Sequence, residues 1–138
     1  MVTGRTPPRY EATTDGIAIR VVPRFMHDES SPAQGKFFWS YTVEIENLDE
    51  VAWRLERRSW RIVDSAGRKQ TVDGEGVIGQ TPLIEPGETF KYTSGVPLSA
   101  PSGLMDGQYL LVNTAGEELV AQIPTFSLDS PYDKARPS

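Results

Sequence analysis

Gly74-x-Gly76-x-x-Gly79 is the sharpest chemical pattern in the chain. Glycines at this spacing let a pyrophosphate approach backbone N–H groups, provided a strand precedes the motif and a helix follows it. Here the next residues are Gln80-Thr81-Pro82-Leu83-Ile84-Glu85-Pro86-Gly87. Pro82 and Pro86 forbid an ordinary helix there, because each removes an N–H and crowds the turn before it. Asp73 and Glu75 add negative charge where a phosphate would sit. The glycines are therefore expected to shape a loop or bulge between strands.

Other groups could also support chemistry. His27-Asp28-Glu29 forms a charged cluster, and Asp73 with Glu75 could offer oxygens to a hard cation. One His and no Cys is a poor donor set for zinc or cobalt, which recruit several N or S ligands. Solvated loop charge is the expected role of both clusters, with no metal site and no cofactor. Arg54, Arg57, Arg58, Arg61, Arg68 and Lys69 form a basic stretch that could meet a phosphate or an acidic partner. The plainer reading is outward-facing charge on an amphipathic strand. Arg58 stands apart, because it sits beside a break in the strand pattern; pairing with a carboxylate is its alternative role. Ser59 and Ser94 are available hydroxyls, but His27 is the only imidazole and lies in a charged, loop-like segment. No positioned triad results, and no catalytic residue is expected.

The elements that must position these residues read as strands. The chain has 138 residues, of which 38% are hydrophobic, enough for one domain with one real core. Eleven Pro and twelve Gly suit short strands joined by many turns. Over 37–47, Phe37, Trp39, Tyr41, Val43 and Ile45 alternate with Phe38, Ser40, Thr42, Glu44 and Glu46. Alternation of period two sends the large apolar groups to one face of a strand. Ile17, Ile19, Val21 and Phe25 alternate likewise, and Pro23 implies an edge or a bulge there.

The phase of the pattern breaks in two places. Val51, Trp53 and Leu55 are apolar at odd positions, whereas Trp60 and Ile62 are apolar at even ones. One regular strand cannot serve one core with both sets, so the chain must bulge, bend or switch sheets near Glu56–Ser59. Leu119, Ala121 and Ile123 give way to Phe126 and Leu128 across Pro124. Further strands are expected over 89–93 and 105–112. Ser65-Ala66-Gly67 reads as a turn, and Asn113-Thr114-Ala115-Gly116 as a tight hairpin. The expected fold is an all-β, immunoglobulin- or fibronectin type III-like antiparallel sandwich of about seven or eight strands over 10–128. Trp39, Tyr41, Val43, Ile45, Trp60, Ile62, Phe90, Tyr92 and Tyr109 are its expected core. Residues 1–9 and 129–138, rich in Pro, Ser and charge, are expected to be flexible ends.

Order and spacing of motifs across 58–109 resemble one family. Arg58-Ser-Trp60-Arg-Ile62 is followed by Gly74-Glu-Gly76-Val-Ile-Gly79, then Pro82-Leu-Ile-Glu-Pro86-Gly87-Glu88 and Phe90-Lys-Tyr92-Thr-Ser94-Gly95. Pro101-Ser-Gly103-Leu-Met105-Asp-Gly107-Gln-Tyr109 closes the run. Together with Glu44-Ile45-Glu46-Asn47 and Ile123-Pro124-Thr125-Phe126, this strongly resembles the ApaG family over roughly residues 10–128. The resemblance implies a fibronectin type III-like sandwich and a bacterial association with cobalt and magnesium resistance. Related domains in an F-box ubiquitin-ligase subunit and a polymerase-delta-interacting protein imply a binding module. The resemblance supplies no catalytic residue.

Charge and composition narrow the partner class. A net charge of −5 removes an overall basic footprint for nucleic acid. No run approaches the ~18 apolar residues of a membrane helix, and the absence of Cys favours a cytoplasmic location. The leading expectation is a non-enzymatic protein-interaction module acting on an unknown protein partner, as a monomer or weak homodimer. The alternative is a sensor of phosphate, nucleotide or divalent ion through the Gly74–Gly79 loop, and an uncharacterised hydrolase stands third.

Overall fold

The computed structural model describes residues 8–133. Nine strands run β1 Tyr10–Thr14, β2 Ile17–Phe25, β3 Phe37–Asn47, β4 Trp53–Asp64, β5 Lys69–Glu75, β6 Leu83–Ile84, β7 Thr89–Leu98, β8 Gly103–Asn113 and β9 Glu118–Leu128. Two antiparallel sheets result. Sheet 1 has the order β1-β2-β3-β7; sheet 2 has the order β5-β4-β8-β9, with β6 also on β4. The only helices among the described residues are two short 3-10 turns, His27–Glu29 and Pro32–Gln34. Among the described residues, no helix is long and apolar enough to cross a membrane.

The alternation in 37–47 is realised without a break: every odd residue of β3 is buried and every even one between them is half-buried. The phase faults become bulges. The register of β4 against β8 steps from Leu55 opposite Leu111 to Arg57 opposite Leu110, so Glu56 is the extra residue. That one insertion turns Leu55 and Trp60 to the same interior. On β9, the register steps from Phe126 opposite Met105 to Ile123 opposite Gly107, which places the second fault at Pro124 and Thr125. Pro23 faces Tyr41 on β3 but lies beyond the last residue that β1 pairs, Val21, so its missing N–H falls on a local edge.

Four expectations need correction. Nine strands replace seven or eight, because β1, β5 and β6 bury too little to print an apolar alternation. The strand expected over 89–93 runs to Leu98 as β7. Val51 is exposed in the turn before β4, and Phe90 only packs against the rim of the core, both because they lie at strand ends. Of the flexible ends, residues 1–7 and 134–138 lie outside the described residues. Residues 129–133 are anchored instead. The Trp39 indole donates to the Asp129 carbonyl at 2.7 Å, Ser130 donates to the Pro101 carbonyl, and the Tyr132 ring packs on Phe25 and Phe37.

Trp60 sits at the centre of the core. Its ring meets Tyr41, Tyr109 and Phe126 edge-on at centroid distances of 5.3, 6.2 and 6.0 Å. Edge-to-face pairs of this kind add to the burial itself.

Candidate binding surface on the open side of the sandwich

One side of the sandwich holds the three glycines of the pattern together with Arg58. Gly74 is not in a loop: it lies within β5 opposite Arg58 of β4. The Arg58 guanidinium lies flat over it, 2.8–2.9 Å from where a Cβ would stand. From there Nη1 donates to the carbonyls of Glu75 and Gly76 at 3.1 and 2.8 Å. Arg58 therefore pairs with backbone carbonyls, and the guanidinium needs the bare glycine surface to reach them.

Gly76 and Gly79 belong to the turn that follows. Val77 and Gln80 exchange both backbone hydrogen bonds at 2.8 Å, enclosing Ile78 and Gly79 as a two-residue turn. Both central residues have positive φ, 41° at Ile78 and 77° at Gly79, the signature of a type I′ turn. Gly76 enters the turn at φ 62°, with the Gln80 carbonyl oxygen 2.1 Å from the position of a Cβ. After the turn comes β6, not a helix. Val77 is buried, while Ile78 at the tip is 53% exposed. A β-branched residue in the left-handed region is a strained choice, costing about 1–2 kcal/mol.

The basic stretch does not form a single patch. Arg54 donates to the Thr81 carbonyl, Arg61 makes a bidentate pair with Asp106, and Arg68 pairs with Asp64. Burial raises the Asp64 carboxyl, but N–H donors from Arg68 and Ala66 outweigh it and hold the group below its ordinary value. Lys69 makes no ion pair among the described residues and borders a groove of about 710 Å³. Phe37, Ile62 and Leu98 line this groove, with Lys36 on its rim. His27-Asp28-Glu29 forms the first 3-10 turn on the exterior, and Asp73 and Glu75 are exposed on β5. Among the described residues, no three His, Cys, Asp or Glu side chains come together as a metal set would require.

Three features of this region escape a reading of sequence alone. One is a hydrogen bond between the Tyr92 and Tyr109 hydroxyls, which ties β7 of sheet 1 to β8 of sheet 2. Burial pushes both hydroxyls well above the usual phenol range, and the Tyr41 hydroxyl shifts upward for the same reason. The second is the groove, built from four strands distant in sequence. The third is the exposed Ile78; an x-Gly pair between two short strands is the signal that marks such a turn.

The fold and this surface define a class: a β-sandwich whose two sheets close on one long side and leave strand edges, a groove and a strained turn on the other. A family model described as the ApaG domain matches residues 27–113. The chain is 50% identical to "Protein ApaG" of Methylorubrum populi and 51% identical to that of Methylocella silvestris, each over 89% of this chain and 95% of the relative. The Bradyrhizobium diazoefficiens relative of the same name is 49% identical over 91% of this chain and 96% of its own length. A solved Bordetella pertussis structure described as an ApaA protein superposes with TM-score 0.81 at 40% identity, covering 85% of this chain and 95% of that one. The C-terminal domain of wzt matches at TM-score 0.55 and 10% identity, covering 89% of this chain and 78% of that one, which is a likeness of fold alone. The chain belongs to the ApaG family.

Proposed function

We propose that this chain is a non-enzymatic binding module that engages a protein partner through the open side of its sandwich. One observation carries the reading: Ile78 is held in a left-handed conformation at the tip of a two-residue turn, with half its side chain in solvent. Glycine or asparagine would occupy that position without strain. A strained residue at an exposed tip is where function outweighs local stability. The β7 edge supports the reading. It runs ten residues with Pro97 near its end, and among the described residues it pairs with β3 alone. Exposed edges and adjoining loops are the parts of a sandwich that receive peptides. A cytoplasmic setting, and a role in cobalt and magnesium homeostasis served through such a partner, belong to the same proposal.

The test is a quantitative capture experiment with Ile78→Gly. The variant relieves backbone strain, so its melting temperature should stay level or rise. A stoichiometric partner recovered by the wild type should be lost. Retention of that partner by a folded Ile78→Gly variant rejects the turn as the contact.

A further inference from the structure

The free edge of β5 is self-complementary. Its packing is on β4, and six of its seven residues are exposed. Two hydrogen bonds fix which way its backbone points: the Asp64 N–H donates to the Arg68 carbonyl and the Gly76 N–H donates to the Glu56 carbonyl. Antiparallel hydrogen-bonded positions recur at every second residue, so Gln70, Val72 and Gly74 face β4. The N–H and C=O groups of Lys69, Thr71, Asp73 and Glu75 therefore face outward. The Glu75 carbonyl already accepts Arg58.

We propose that β5 pairs antiparallel with β5 of a second copy of this chain, about a two-fold axis at Val72. In that register the outward positions meet each other. Thr71 lies opposite Asp73 of the other copy, and Lys69 lies opposite Glu75, each twice. The central Thr71 and Asp73 positions supply four backbone hydrogen bonds. The flanking positions place a lysine against a glutamate, neither of which has an ion pair of its own among the described residues. The two Val72 side chains, each 41% exposed, meet at the axis. Sliding by one pairing step in one direction puts Asp73 against Asp73, a like-charge contact. Sliding the other way pairs Lys69 with Asp73 and Thr71 with Thr71 but leaves Glu75 against Gly67, outside β5. The proposed register is the one that pairs every charge at the ends of β5. An isologous contact of this kind closes on itself and stops at two copies.

The edge is open to a second copy. β5 is the terminal strand of sheet 2, and six of its seven residues are exposed. Pairing two such overhangs separates the two β4 strands by about three strand spacings, roughly 14 Å, which accommodates Val72 and Gln70 from both copies. This contact is distinct from the partner site at Ile78, which lies beyond the far end of β5.

Sedimentation velocity over a concentration series tests the proposal. The wild type should dimerise reversibly. Lys69→Glu and Glu75→Lys should each weaken the dimer about tenfold, and the double variant, which swaps the charges, should restore it. Asp73→Lys should have the smaller effect, and Ile78→Gly none. Amide exchange at Thr71 and Asp73 should slow as wild-type concentration rises, a readout that needs no variant. A wild type still monomeric near about 1 mM overturns the proposal. So does a dimer indifferent to both charge reversals, a double variant that stays weak, or concentration-independent exchange at Thr71 and Asp73. An Asp73→Lys effect larger than that of Glu75→Lys overturns the register.

Discussion

The two long sides of this sandwich are built on opposite terms. On the closed side, β9 of sheet 2 packs against both β1 and β2 of sheet 1. The Gln122 N–H reaches across to the Thr14 hydroxyl, and the Tyr10 and Phe126 rings meet at 6.1 Å. On the open side, β5 and β7 stay apart, with a groove lined by Phe37, Ile62 and Leu98 beside them; Arg58 on its two carbonyls and the Tyr92–Tyr109 bond between sheets supply polar ties. The closed side joins its sheets by packing β9 on β1 and β2, whereas the open side adds hydrogen bonds of Arg58, Tyr92 and Tyr109. Burial scales with area and tolerates no loss of volume. Hydrogen-bonded rims need particular atoms but leave surface free for a partner.

The largest loss is expected at the centre of the core. Trp60→Ala removes the ring that three aromatic neighbours share and should cost about 3–5 kcal/mol in denaturant unfolding. Val72→Ala on the β5 edge should stay within about 0.5 kcal/mol. Similar losses from the two would show that the open edge is as much core as the centre of the sandwich.

The glycines sharpen the contrast within the open side. Gly76→Ala meets both a left-handed backbone and the Gln80 carbonyl, whereas Gly79→Ala meets the backbone penalty alone, with open space around it. Gly79→Ala should cost about 1–2 kcal/mol. Gly76→Ala should cost clearly more, read as a larger drop in melting temperature. An equal drop would mean that the turn gives way around Gln80.

The mildest probe is pH. Tyr92 and Tyr109 titrate higher folded than unfolded because burial disfavours the phenolate. Their contribution is complete below the unfolded phenol value of about 10 and is lost as pH rises past it. Glu44 is the acid counterpart. The hydrogen bond from Arg20 lowers it, so its contribution is present above the ordinary carboxylate value and fades as pH falls through the folded one. Melting temperature should be level between about pH 5 and 9 and decline on both sides. In Tyr109→Phe the alkaline decline should be shallower; an unchanged alkaline limb would remove the tyrosine bond as its cause.

Much of this fold follows from the order of residues alone. The unbroken alternation of β3 sets its faces, because a pleated strand has only two sides for its side chains. The changes of phase at Glu56 and Pro124 require bulges for the same reason, whichever strands pair with them. Pro82 and Pro86 exclude a helix after the glycines because proline lacks the donor a helix needs. The family follows from ordered motifs spread over most of the chain. Tertiary structure alone decided the rest. Edge strands β1 and β5 bury too little for hydrophobic alternation to mark them. Arg58 could have faced water; the single extra residue at Glu56 turned it inward, and a glycine seventeen residues downstream of Glu56's bulge neighbour Arg57 gave its guanidinium a surface to lie on. The bond between Tyr92 and Tyr109 depends on which sheet each strand joins, and that choice is made by packing across the whole sandwich.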